Sequence, residues 1–400
     1  MTHPSNRRRR GRPAGFTLVE ILVTLVIIIL LIGLLVPALV AGLRAGKRSA
    51  VKAEISALAQ AMADFKVKYG DFPPSRVYLS ESGNFPISST TLVSSVLSSS
   101  DTTVVDITVG RLAQRSVAAL RKFFPKVQVH TDGTPYWAAG STIWYDFNGN
   151  GVFDANPYIL QGHECLTFFL GGIPLKSDNG YTLTGFGTNP SNPFTNSIVG
   201  NAMYGANRQT PFYEFAPSRL YLDPANTTYP TDSAGSTRFG IPAYYDSLGN
   251  AAPEPGATAS QLTTLNFFAY FSTTGLGGGY DPNDVNFYAT ESDGYLSFLG
   301  GAAISPGPNP YTSSTTNPAT GTIIYQNPQS FQIITSGFDG LYGIGGQYTP
   351  PPAATALPPD ATNTAVNTNP NVGVEVATPG SIRNRERDNI TNFGAGTQLD

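Results

Sequence analysis

The chain has a single cysteine, Cys165, so no disulfide can form within it, and its folded part must rely on core burial or on a metal. Histidine is almost as scarce: His3, His130 and His163 are too scattered for a convincing zinc site or catalytic triad. No Gly-x-Ser-x-Gly elbow occurs, although scattered carboxylates leave a glycosidase-like pair open. Charge is thin, at 13% of residues with a net of −3, and no basic-aromatic cluster is present. A nucleic-acid surface is therefore not expected. What the chain has in quantity is punctuation and rings, with 42 Gly, 32 Pro, 20 Tyr and 23 Phe, a mixture that suits short strands joined by many turns.

The one long apolar run begins after a basic leader containing Arg7, Arg8, Arg9, Arg10 and Arg12. It reads Gly15-Phe16-Thr17-Leu18-Val19-Glu20 and continues to Val36 with Glu20 as its only charge. About 20 such residues cross a bilayer as a helix. A carboxylate inside that helix costs roughly 2.5–3.5 kcal/mol on insertion scales, so it needs a partner or a function. A secretory signal peptide has a shorter apolar region, about 7–15 residues, and here only a poor cleavage site around Val40-Ala41-Gly42. A plain membrane anchor explains the length and leaves Glu20 unexplained. Arg44, Lys47, Arg48 and Lys52 nearly balance the leader, so flanking charge decides little about orientation.

This arrangement resembles the prepilin N-terminus of type IV pilins and type II secretion pseudopilins. The resemblance implies cleavage between Gly15 and Phe16 by a prepilin peptidase, N-methylation of Phe16, and use of Glu20 as the assembly contact. Glu20 would then meet the N-terminal amine of a neighbouring subunit, two charges neutralised in an apolar bundle; a Glu that merely sits protonated in lipid is the bland alternative. Pro37 falls where pilins carry a kinking proline, and it removes a helical hydrogen bond there; the bland alternative is that it ends the membrane helix.

Helical periodicity resumes beyond it. Val51, Ile55, Leu58, Met62, Phe65 and Tyr69 recur at alternating four- and three-residue spacings, with Lys52, Glu54, Gln60, Asp64 and Lys66 mostly between them. A continuous helix from Phe16 to Tyr69 would be about 80 Å long. Gly70-Asp71-Phe72-Pro73-Pro74 stops it. In the remainder, strands are expected at Val104–Val109, Leu265–Ser272, Tyr295–Leu299, Ile323–Tyr325 and Phe331–Thr335. A helix is expected at Gly110–Phe124 and a buried element at Glu164–Leu170, where Cys165 reads as a small buried hydrophobe.

Three later segments extend the resemblance. Tyr69-Gly70-Asp71-Phe72-Pro73 resembles the helix exit of the major pseudopilin. Ser336-Gly337-Phe338-Asp339-Gly340 resembles its C-terminal loop, and Asp388-Asn389-Ile390-Thr391-Asn392-Phe393 its closing segment, with Phe in place of Trp. The stretch 75–320 resembles nothing nameable. The family commonly holds calcium in that C-terminal loop, which here would involve Asp339, Asp388 and Asn389; Asn389 stands where an Asp is expected, and a metal-free turn is the alternative. A second calcium candidate comes from spacing alone. Asp146, Asn148, Asn150, the Val152 carbonyl and Asp154 occupy positions 1, 3, 5, 7 and 9 of a calcium loop, with Gly151 at position 6. Position 12 is Pro157 rather than Glu, so a Gly/Asn turn between strands stays equally open.

The expected architecture is α+β: a leader at 1–15, a transmembrane and assembly helix at 16–37 and an amphipathic continuation at 38–72. An antiparallel-sheet head with large loop insertions follows at 73–347, then a flexible Pro/Thr/Asn-rich insertion at 348–380 and a closing segment at 381–400. The resemblance implies a non-enzymatic pseudopilin, anchored by a single pass in the inner membrane with its head in the periplasm. Its partners would be the prepilin peptidase, other pseudopilin subunits in a homo- or hetero-oligomeric fibre, and the inner-membrane assembly platform. A surface or minor adhesive pilin, and a membrane-anchored hydrolase, are the alternatives.

Overall fold

The computed structural model describes residues 17–91, 108–138, 140–141, 143–177, 180–194, 207–222, 240–248, 266–274, 279–281, 284–285, 308, 310–313, 324–338, 340, 342, 345–349, 386–394 and 399. Its contacts divide the chain into two units, Met1–Ser49 and Ala50–Asp400. The protein is α+β, with a long N-terminal helix and several small sheets.

Helix α1, Leu18–Tyr69, runs through Pro37 rather than ending there. In the first unit every large apolar side chain of α1, from Leu18 to Leu43, is exposed. That stretch is long and apolar enough to cross a membrane, and a helix satisfies its own backbone polar groups there. In the second unit α1 changes character. Val51, Ile55, Leu58, Ala61, Met62 and Phe65 are buried along one stripe, which therefore begins at Val51 rather than immediately after Pro37. Gly70, at φ +84°, ends the helix in the left-handed conformation that favours glycine.

The Phe65 ring lies against those of Phe123, Phe169 and Phe212 at 5.0, 6.0 and 5.2 Å, placing α1 at the centre of the main core. A polar clamp fixes the same helix. Glu54 receives the Arg219 guanidinium (Nη1 to Oε2, 2.9 Å) and the Tyr244 hydroxyl (2.8 Å), with the Tyr213 hydroxyl at 3.3 Å. Helix α2, Val109–Phe123, starts at Thr108, whose hydroxyl accepts the Arg111 N–H, and buries Leu112, Val117, Leu120 and Phe123. Val109, expected to close a strand, is therefore helical and Thr108 is its cap; residues 104–107 of that strand lie outside the described residues. Helix α3, Gly162–Gly171, is buried along its whole length, Cys165 included.

Among the described residues the strands form five small sheets, none with more than three members. β1 (Val77–Leu79) pairs antiparallel with β2 (Tyr158–Leu160), and β3 (Pro174–Ser177) with β4 (Gly180–Leu183). A 3-10 turn at Pro217–Arg219 leads into β5 (Leu220–Tyr221), which pairs with β6 (Ala243–Tyr244). The largest sheet sets β9 (Phe331–Thr335) between β7 (Ala269–Ser272) and β11 (Ile390–Thr391), both antiparallel to it, and α3 lies against β7. β7 and β9 are buried on both faces, and the buried Gln332 of β9 is satisfied by the Tyr311 backbone, accepting its N–H and donating to its carbonyl at 2.8 Å each.

One pair departs from the expected antiparallel pattern: β8 (Tyr311–Thr312) and β10 (Gly346–Gln347) are parallel. Of Ile323–Tyr325, Ile323 lies outside the described residues, Tyr325 bridges to Thr312 and the Ile324 carbonyl accepts the Ser313 N–H at 2.7 Å. Tyr348, expected at the start of a flexible insertion, is buried beside Phe393 at 5.9 Å and belongs to a second core with Phe271, Tyr280, Ile334 and Leu399. Residues 350–380 of that insertion, and Tyr295–Leu299, lie outside the described residues.

Candidate functional sites

The loop between Tyr145 and β2 gathers the residues that spacing had grouped. Asp146 and Asn148 are buried, with Asn150, Val152 and Asp154 beside them. Asp146 Oδ1 accepts the Asn150 N–H at 3.1 Å and Oδ2 the Gly151 N–H at 3.0 Å. The Asn148 and Asn150 amides donate to Asp154 Oδ2 at 2.8 and 3.1 Å. Gly149 is obligatory: its φ is +69°, and a Cβ there would lie 2.0 Å from the Pro174 carbonyl.

Glu81 joins this loop from the turn that follows β1. Its Oε2 accepts the Asp154 N–H at 2.8 Å, while Oε1 is buried with no hydrogen-bond donor. The nearby Phe147 N–H is committed to the Tyr145 carbonyl. Burial, with Asp154 and Asp146 beside it, pushes the Glu81 carboxyl up to about 10. Burial also raises Asp154, against the lowering effect of the two amides, and raises the Tyr158 hydroxyl on the same side. Sequence reading misses Glu81 because nothing local marks an acid between Ser80 and Ser82 as a partner for a loop so distant in the chain. Among the described residues no three His, Cys, Asp or Glu side chains already stand in metal-ligand geometry. The side-chain oxygens of Asp146, Asn148 and Asn150 instead accept backbone N–H groups of the loop itself.

The C-terminal turn is also assembled. Asp388 Oδ2 accepts the Phe338 N–H at 2.6 Å, and a Cβ on Gly337 would lie 2.3 Å from the Asp388 carbonyl. Asn389 donates to the Tyr311 hydroxyl (2.9 Å) and the Tyr342 carbonyl (2.8 Å), leaving its buried Oδ1 without a donor. Asp339 lies outside the described residues. Asp388 closes the turn and Asn389 cross-links the second core, so calcium at this turn rests on the resemblance alone.

Two polar groups bear on enzymatic readings. His130 Nδ1 lies 3.1 Å from the Thr134 hydroxyl, which donates to Asp132 at 2.6 Å, in an exposed turn. The buried Asp284 pairs with Arg115 at 3.2 Å and accepts the Ser75 hydroxyl. Burial raises its carboxyl to about 7, against the lowering pull of Arg115. This pair ties β1's approach to the segment after β7.

At the start of α1, Thr17 and Glu20 form a reciprocal cap. Glu20 Oε2 accepts the Thr17 N–H at 2.8 Å and its hydroxyl at 2.9 Å, and Thr17 Oγ1 accepts the Glu20 N–H at 3.2 Å. Helix ends leave such N–H groups without intrahelical partners, and a Thr-x-x-Glu box satisfies two of them. The carboxylate thus has local work as well as its expected one, and Thr-x-x-Glu before an apolar run was the signal that would have found it. Gly15 and Phe16 lie outside the described residues.

Residues 10–36 match the family model described as a prokaryotic N-terminal methylation motif. They form a type IV pilin-like signal. The match spans the proposed cleavage point, Glu20 and the exposed apolar part of α1. No curated protein and no solved structure matches the chain. The signal implies processing by a prepilin peptidase and assembly into a pilus-type fibre, and with the one apolar helix it suggests a single-pass membrane anchor.

Proposed function

We propose that the chain is a structural, non-enzymatic pseudopilin. It is cleaved after Gly15, methylated on Phe16 and drawn from the inner membrane into a periplasmic fibre that serves type II protein secretion. The observation that carries this reading is Glu20, held at the capped start of the exposed apolar stretch of α1 inside a methylation motif. An uncovered apolar surface of that length needs lipid before assembly and neighbouring helices after it. The secretion role draws support from the C-terminal turn, where Asp388 closes on Phe338 as the resemblance to major pseudopilins implies. The size of the head favours the second reading, a surface or minor adhesive pilin.

Mass spectrometry of the N-terminus, on protein made together with a prepilin peptidase, tests the assignment. The expected mature chain begins with methylated Phe16. A chain beginning at Val40, Ala41 or Gly42 overturns it. Deleting the gene then separates the two fibre readings, since a secretion subunit abolishes export of protein cargo and a surface pilin does not.

A further inference from the structure

The exposed apolar stretch of α1 ends abruptly in positive charge. Arg44, Lys47 and Arg48 follow directly on Leu43, the last exposed large apolar side chain of the first unit. Spacings of three and four residues set these cations on one face of the helix, the face that carries exposed Val40 one turn earlier. Arg44 and Lys47 are exposed and Arg48 is half-buried. The chain has no carboxylate between Glu20 and Glu54, and Glu54 is held by Arg219. On the side of the membrane where the head lies, such cations oppose the orienting bias of the arginine leader. Topology therefore does not account for them.

Helix length supplies a second argument. From Leu18 to Leu43 the helix rises about 39 Å at 1.5 Å per residue, against a hydrocarbon core about 30 Å thick. Apolar character alone thus leaves the depth and tilt of the helix open, and flanking Lys and Arg anchors are what fix them.

We propose that Arg44, Lys47 and Arg48 form a belt that binds the phosphates of anionic phospholipids in the leaflet facing the head. The two guanidinium groups match phosphate oxygens in pairs, and the lysine adds a point charge. The belt sets the depth at which the subunit rests before assembly, and extraction into a fibre must break its lipid contacts. This inference rests on the reading of Leu18–Leu43 as a membrane anchor.

Full-length protein, made together with a prepilin peptidase, can be reconstituted into phosphatidylcholine vesicles holding a trace of spin-labelled phosphatidylglycerol or spin-labelled phosphatidylcholine. Electron spin resonance then reports which lipid the helix immobilises. Phosphatidylglycerol should be preferred roughly fivefold or more, about the worth of a single cation at a charged surface. The preference should collapse in 1 M sodium chloride, where the screening length falls to about 3 Å. Replacing all three residues by Gln should bring it close to one, and Arg44→Lys with Arg48→Lys should retain most of it. Any leader left uncut is common to all these proteins, so the differences report the belt. Vesicle flotation separates the two readings. A chain that floats with no vesicle overturns the anchor and this proposal together. A chain that floats without preferring the anionic lipid, or whose Gln variant keeps the preference, overturns the belt alone.

Discussion

The two stretches of α1 obey different rules within one helix. Between Leu18 and Leu43 apolar side chains cover every face and all are exposed; from Val51 to Tyr69 they follow one stripe, which is buried. In the first stretch the side-chain bonds are local to the first turns, the Thr17–Glu20 cap and the Thr24 hydroxyl donating to the Glu20 carbonyl. In the second, aromatic contacts at Phe65 and the Glu54 clamp engage the helix from several directions. The difference teaches that helix continuity does not imply common purpose. One stretch offers surface to other molecules, and the other is the backbone of a domain.

The sharpest way to break this comparison is Glu20→Ala. If the exposed stretch works through Glu20, cleavage persists while fibres disappear altogether, as read by electron microscopy and shear fractionation. Fibres of normal number would sink the assembly role. Next come paired truncations, one in each stretch. Phe65→Ala should destabilise the head by about 3–5 kcal/mol, the usual penalty for emptying a buried aromatic site. Leu25→Ala, with no neighbours in the head to lose, should stay within about 0.5 kcal/mol. Urea unfolding in micelles measures both, and equal effects would erase the distinction.

The smallest effect concerns charge, which only the buried stretch's surroundings can titrate. The Asp284 carboxyl rises from 3.8 to about 7 on folding, chiefly through burial, despite Arg115. The native state therefore binds a proton more readily than the unfolded chain. Its stabilising contribution is full at low pH and is lost as pH rises through about 7. Head stability should decline from about pH 4 to about pH 7, the interval between the unfolded and folded values, and Asp284→Asn should make the decline shallower. An identical slope in that variant would remove Asp284 as its source.

Much of this architecture was legible in the residues. The stripe from Val51 to Tyr69, the stop at Gly70 and the strand Phe331–Thr335 follow from periodicity and local conformational preference, which act over a few residues. The division of the sheet into five pieces was not, because pairing depends on which short segments meet after the chain has closed on itself. The parallel pairing of β8 with β10 is of that kind, and so is Tyr348, whose Pro-rich neighbours concealed an aromatic that fills a core. Of the candidate calcium loop, spacing gave Asp146 to Asp154, while Glu81 required the pairing of β1 with β2 to bring it there. Short-range oxygens announce themselves; long-range ones arrive with the fold.

Glu54 has a mechanical consequence. Any subunit hauled by its N-terminal segment feels tension along α1, and the first strong attachments that tension meets in the head are the Arg219, Tyr244 and Tyr213 contacts. These bonds reach the helix from the side, so a pull along its axis loads them together in shear instead of peeling them singly. The head therefore travels with its rope.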